Sequence, residues 1–155
     1  MNQPLFRTGI GYDVHPLVSE RPLIIGGVTI DFERGLKGHS DADVLTHAIC
    51  DALIGAAGQG DIGSWFPDTD PQYKNINSLT LLQNVGSTLQ NQGWVVGNID
   101  CTILAEKPKM APHILSMKQN LAQVLGVSAE LINIKATRGE GLGFIGRVEG
   151  IGAVA

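Results

Sequence analysis

Apolar and polar positions along the chain mark out short strands and three longer helices. Residues 5–15 read as a strand that ends at Pro16. Leu23–Ile25 and Val28–Ile30 flank Gly26 and Gly27, the pattern of a two-residue hairpin. Residues 40–57 read as a helix capped by Ser40, with Asp43 at the capping-box position. Residues 60–75 form a polar loop containing Gly and Pro. The second helix covers 78–92, with Leu79, Leu82, Val85 and Leu89 on one face and Gly93 stopping it. Residues 94–105 read as a strand, and 112–125 as a third helix with Pro at its start and Gly126 past its end. Ile132–Thr137 and residues 146–155 supply the last strands. This order predicts an α+β fold: a single-domain two-layer sandwich of a mixed β-sheet with helices on one face, plus a β-hairpin. The other sheet face needs a cover, for which further subunits are available.

Composition narrows the picture. A chain of 155 residues with 43% hydrophobic content suits one domain, 1–155, with its own core. The net charge of −4 gives no basic face for nucleic acid. No apolar run reaches membrane-spanning length and no signal peptide is visible, so neither a membrane nor export is expected. Cys50 and Cys101 lie far apart without a C-x-x-C and read as free thiols of a cytoplasmic protein.

Candidate chemistry begins at Asp13 and His15. Two residues apart on a strand, they project from one face. Asp43, His47 and Asp51 form a polar stripe on the first helix, beside the apolar stripe of Leu45, Ala48, Ile49, Ala52 and Leu53. Asp13, His15 and His47 make an O, N, N ligand set that suits zinc and leaves its fourth position open. Asp43 or Asp51 is placed to hold the second ring nitrogen of His47. Spacing alone also fits solvated helix carboxylates and a histidine at the edge of a buried face.

Four further segments suit a phosphorylated nucleotide. Gly38, His39, Ser40 and Asp41 lead into a helix N-terminus, where free amides favour an anion; a plain cap fits as well. Glu106, Lys107, Pro108, Lys109, Met110, Ala111 and Pro112 form a stiff cationic link able to read a base edge, or a basic surface turn. Thr137, Arg138, Gly139 and Glu140 combine a hydroxyl, a guanidinium and a carboxylate that suits a hard cation, or form a Gly-rich turn. Asp61, Ile62 and Gly63, with Phe66, Pro67, Asp68, Thr69 and Asp70, make an acid-rich loop able to bond sugar hydroxyls, or a solvated one. Arg147 and Glu149 fit a salt bridge.

These stretches coincide with one family. GIGYDVHPL (9–17), PLIIGGVTI (22–30), GHSDADVLTHAICDALIGAAGQGDIGSWFPDTDP (38–71), NIDCTILAEKPKMAPHI (98–114), INIKAT (132–137) and EGLGFIGRVEGI (140–151) resemble the 2-C-methyl-D-erythritol 2,4-cyclodiphosphate synthases of the non-mevalonate isoprenoid pathway. The resemblance implies a homotrimer with active sites between subunits and zinc on Asp13, His15 and His47, with Val14 also at the site. It implies His39 and Ser40 on phosphate, with His39 in a catalytic role. It implies residues 61–63 and 66–70 on the ribose and methylerythritol units. Ala105, Glu106, Lys107, Pro108, Lys109, Met110 and Ala111 match a cytosine pocket supplied by the neighbouring chain. Thr137, Arg138, Gly139 and Glu140 match the diphosphate segment, with Glu140 on Mg2+ or Mn2+. Phe144 and Arg147 match residues near the trimer axis, where an isoprenoid diphosphate binds. The family usually has a second Thr at position 138, which helps to stabilise the transition state; here Arg138 takes that catalytic position, and its geometry differs. The implied reaction is intramolecular phosphoryl transfer that forms a cyclic diphosphate and releases CMP. A zinc phosphohydrolase and an inactive trimeric nucleotide or isoprenoid-diphosphate binder remain the alternatives.

Overall fold

The structure is a computed structural model that describes residues 6–155. Among the described residues, seven strands and five α-helices run in the order β1 (Tyr12–Val18), β2 (Leu23–Ile25), β3 (Val28–Ile30), β4 (Gly35–Leu36), α1 (Val44–Ala56), α2 (Ile62–Trp65), α3 (Ser78–Asn91), β5 (Ile99–Leu104), α4 (Ile114–Leu125), β6 (Ile132–Thr137), α5 (Gly143–Gly146) and β7 (Gly150–Val154). Five strands form one mixed sheet in the order β4-β1-β7-β5-β6, and β2-β3 is a separate hairpin. Only β5 and β6 run parallel.

Alternation along the strands sorts the two sheet faces. Leu17, Ile151, Ala153, Cys101, Ile103, Ile132 and Ile134 are buried under the helices. Tyr12, Val14, Asp100, Lys135 and Thr137 lie on the opposite, uncovered face. Helix α1 packs across β1, β7 and β5, α4 packs on β6, and α3 lies over α1 and α4. Covered by both sheet and helix, α1 buries Val44, Leu45, Thr46, Ala48, Ile49, Cys50 and Ile54, more than one apolar stripe. Fully burying a side chain such as Ile49 contributes roughly 1.5–3 kcal/mol.

The hairpin is placed as expected. Gly26 and Gly27 both take left-handed backbone, φ 57° and 69°, as a primed two-residue turn requires. Their amides donate to Asp43 Oδ1 and Oδ2 at 2.8 and 2.7 Å. Thr46 adds its amide at 3.1 Å and its hydroxyl at 2.8 Å. Asp43 is therefore the α1 N-cap and the anchor of the hairpin tip. Burial pushes its carboxyl up, and the bonds from Thr46, Gly27 and Gly26 oppose that shift.

Several boundaries differ from the sequence reading. The first strand starts at Tyr12 and passes through Pro16; of the expected range, Leu5 lies outside the described residues. Pro16 fits because its carbonyl accepts from Lys37 N at 3.0 Å on the side where its missing N–H would point. Helix α1 begins at the Asp43 cap rather than at Ser40, since Ala42 holds φ 59° and breaks the helical path. The 60–75 loop contains α2, closed by a capping box between Asp61 and Ser64, and a 3-10 turn at Pro71–Tyr73. Strand β5 begins at Ile99, five residues late, and β7 at Gly150, because Gly143–Gly146 is helical. The two-residue β4 had no readable signal.

Candidate metal centre

Strand β1 presents Asp13 and His15 on its helix-facing side, and α1 presents His47 beneath them. Asp13 Oδ2 lies 2.9 Å from His15 Nε2 and 3.0 Å from His47 Nδ1, and the two ring nitrogens are 3.4 Å apart. One ligand atom from each of the three residues meets within 4.8 Å.

The outer ring nitrogens decide what this convergence means. His15 Nδ1 lies 2.9 Å from the carbonyl oxygen of Lys37, which can only accept, so Nδ1 carries a proton. His47 Nε2 lies 2.8 Å from Ser78 Oγ and 3.1 Å from Ser40 Oγ. The Ser78 hydroxyl donates to Asp41 Oδ1 and leaves an oxygen lone pair for a proton on His47 Nε2. Neutral imidazoles then direct the lone pairs of His15 Nε2 and His47 Nδ1, with a carboxylate oxygen, at one point. Such a set repels itself unless a cation, a metal or shared protons, lies among the three atoms. The charges reflect this. Burial alone would raise the Asp13 carboxyl, but hydrogen bonds and charge from His15 and His47 hold it well below the usual carboxylate range. Burial would lower His47, and its bond to Asp13 overrides that and raises it. The O, N, N donor set and free fourth position fit zinc.

The neighbouring cleft, about 220 Å3, is lined by His15, His39, Ser40, His47, Ile62, Gly63, Phe66, Asp68, Tyr73, Ile76 and Leu81. A larger hollow of about 820 Å3 lies elsewhere, between the chain around Arg7 and the segment 93–99, and includes none of the three ligand residues. The smaller cleft is the site, because His15 and His47, two of the three converging donors, lie in its wall.

Residues 6–155 match the sequence profile of the YgbB family. The chain belongs to that family. A 2-C-methyl-D-erythritol 2,4-cyclodiphosphate synthase from Enterococcus faecalis is 60% identical over 151 residues, which cover 97% of this chain and 96% of the relative. The synthase of the same name from Bacillus subtilis is 56% identical over 151 residues, with the same coverage. Among solved structures, the bifunctional IspDF from Campylobacter jejuni superposes with TM-score 0.93 at 45% identity, over 97% of this chain and 42% of that longer one. A CDP complex of IspF from Plasmodium falciparum superposes with TM-score 0.86 at 30% identity, over 99% and 94%.

Within this YgbB chain the predicted residues fall into two groups. His39, Ser40, Ile62, Gly63, Phe66 and Asp68 line the cleft with the histidines, and Asp61, Pro67, Thr69 and Asp70 lie in the same loop. Residues 105–111 and 137–140 form the second group. Ala105 N donates to the Thr137 carbonyl at 3.0 Å, and Gly139 N to Glu106 Oε2 at 3.0 Å. Arg138 and Glu140 are exposed and 3.4 Å apart. The sheet register places Val14, Gly152, Leu104 and Thr137 on one rung. Three strand spacings of about 4.8 Å thus put Thr137 about 14 Å from β1 across the sheet. The Val14 side chain points to the uncovered face. Phe144 is 40% exposed, and Arg147 is paired with Glu149 at 2.8 and 3.2 Å, away from the cleft.

The expected partners of His47 are corrected. Asp43 is consumed by the hairpin turn and its own helix cap, and Asp51 Oδ1 accepts from Ile62 N at 2.7 Å. One helical turn from His47 along α1, neither carboxylate bonds to it. Ser78, Ser40 and Asp13 hold the ring instead. Ser78 was missed, as was Arg21, whose guanidinium donates to the carbonyls of Ser40 at 2.9 Å and Gly38 at 3.4 Å, and Asp41 was read only as part of an anion-favouring lead into the helix. Only the placement of Asp41 between Ser40 and Asp43 offered a signal.

Proposed function

We propose that this chain converts 4-diphosphocytidyl-2-C-methyl-D-erythritol 2-phosphate into 2-C-methyl-D-erythritol 2,4-cyclodiphosphate and CMP, in isoprenoid precursor synthesis. The observation that carries the reading is the convergence of three metal-ligating atoms, two of them from residues in the cleft wall, in a chain 60% identical to a synthase of that name. An oxygen of the 2-phosphate attacks the β-phosphorus. The bond from that phosphorus to the oxygen bridging it to the α-phosphate breaks, and its electron pair leaves with CMP. The nucleophile is already an anion, so no strong base is needed, and positioning with charge neutralisation does the work. When bound, zinc at Asp13, His15 and His47 and Mg2+ or Mn2+ at Glu140 supply Lewis-acid charge to phosphate oxygens. His39 and Ser40 orient phosphate beside the cluster. Residues 61–63 and 66–70 hold the sugar and methylerythritol hydroxyls and keep water out.

The cytidine half is assigned to residues 105–111, and the diphosphate to residues 137–140. The left-handed backbone of Glu140, φ 52°, supports a functional role, because such strain persists where the surroundings enforce it. Since Thr137 lies about 14 Å from β1 across the sheet, this second group is drawn from a neighbouring chain of a homotrimer that covers the open sheet face. An isoprenoid diphosphate on the trimer axis is assigned to Phe144 and Arg147. The test is product analysis with zinc and magnesium present. CMP with a cyclic diphosphate supports the reading; CMP with an acyclic phosphate makes the chain a phosphohydrolase, and no turnover makes it a binder. A monomer by light scattering refutes the shared site.

A further inference from the structure

We infer that Asp41 and Ser78 are positioning residues that fix which nitrogen of His47 carries its proton, leaving Nδ1 free for a metal. The inference rests on the metal reading of the site and names residues outside the ligand set.

Proton accounting carries it. Asp41 Oδ2 accepts from the amide of Ser78 at 2.9 Å, and Asp41 Oδ1 accepts from the Ser78 hydroxyl and from Asp43 N at 3.2 Å. An ionised carboxylate only accepts. The Ser78 proton is therefore committed to Asp41, and Ser78 Oγ turns a lone pair towards His47 Nε2 at 2.8 Å. Ser78 is fully buried, so water does not compete for this bond. Ser40 Oγ, 3.1 Å from the same nitrogen, already accepts from Ala42 N at 3.2 Å. Its own proton is not committed to any bond, so Ser40 does not select a tautomer. Asp41, at the loop end before α1, and Ser78, the first residue of α3, thus lock the ring from the side opposite the metal. On the other side Asp13 Oδ2, 3.0 Å from Nδ1, also only accepts and holds a proton there while no metal is bound, so the lock keeps a proton on Nε2 and lets a metal take the place of the one on Nδ1.

Asp41→Asn tests this with nearly unchanged shape. Keeping the shorter backbone bond, 2.9 Å from Ser78 N against 3.2 Å from Asp43 N, sets the Asn oxygen opposite the Ser78 amide and its NH2 opposite Ser78 Oγ. The Ser78 hydroxyl must then donate to His47 Nε2, which leaves the imidazole proton on Nδ1 and blocks the ligand atom. Loss of the outer partner of a metal-binding histidine typically costs 10–100-fold in affinity. We expect Asp41→Asn to weaken zinc binding by about 10–100-fold. Nitrogen-15 chemical shifts of His47 in the metal-free protein should show a proton on Nε2 in the parent and none there in Asp41→Asn. Ser78→Ala should weaken zinc less, since it removes an acceptor without inverting the tautomer and Ser40 Oγ remains. Zinc affinity and His47 shifts in Asp41→Asn equal to those of the parent overturn the inference, as does a larger loss in Ser78→Ala. If Asp41→Asn fails to fold, Ser78→Ala decides: parental zinc affinity and parental His47 shifts overturn it. Failure of the parent protein to bind zinc removes the underlying metal reading instead, so the two failures are distinguishable.

Discussion

At the scale of single residues, His47 joins the strand to the helix through one atom. His47→Ala should abolish zinc retention and turnover while circular dichroism stays that of a folded protein, because the ring is only partly buried and the core around α1 remains. Full zinc content by metal analysis would reject the ligand assignment. By the family resemblance, Arg138 stands at the position of a Thr. It is exposed and faces Glu140, so it is free to clamp a diphosphate. Arg138→Thr should raise KM roughly tenfold through loss of one charge-assisted contact of about 1.5 kcal/mol, with kcat unchanged or higher. An unchanged KM in steady-state kinetics means that the guanidinium only faces solvent. The two cysteines are the inert counterparts of these groups. Burial pushes the Cys101 thiol up to about 12, and the Cys50 thiol higher still. Neither should react with a thiol reagent at neutral pH until denaturant is added; prompt labelling of the native protein would contradict their burial.

At the scale of elements, the site depends on how closely β1 approaches α1. A Cβ built on Gly11 would lie 1.9 Å from the carbonyl oxygen of Ala48, and one on Gly9 would lie 1.9 Å from that of Ala52. Two glycines spaced by two thus ride on helix carbonyls spaced by four. Gly11→Ala should force α1 outward, cost about 1–3 kcal/mol by overpacking, and weaken zinc binding, since His47 precedes Ala48. Urea unfolding and zinc titration on the same variant check both; stability lost with zinc affinity intact would free the site from this contact. The same segment shows what was legible in the sequence. Asp13 and His15 share a strand face, and His47 sits at the edge of a buried helical stripe; the two periodicities allowed their meeting, and the family resemblance chose it over the readings that spacing left open. The hairpin followed from two glycines between apolar triplets. The early start of the first strand was misread because Gly9 and Gly11 sit in an extended run, although their spacing serves a helix. The partners of His47 were illegible, because helical spacing offered two carboxylates nearby and both were already consumed. Ser78 reached His47 only through the packing of α3 on α1, which no local pattern encodes.

At the scale of the whole molecule, the described residues include no helix long and apolar enough to cross a membrane. The face of the sheet away from the helices leaves Tyr12 and Val14 exposed, at 52% and 39%. The rung from Val14 through Gly152 and Leu104 to Thr137 acts as a rigid ruler between β1, which carries Asp13 and His15, and the 137–140 segment. A single chain cannot fold the ruler to bring them together. If each site pairs the cleft of one chain with the 137–140 segment of the next, defects in the two halves belong to separable units. Co-refolding equal amounts of His47→Ala and Glu140→Gln, each inactive alone, should therefore restore about one intact site in four by random cyclic assembly. Activity of the mixture no higher than that of either parent would place both half-sites in one chain. Two broken subunits would thus complement each other, as two alleles do, with the sheet's own width setting which halves are exchanged.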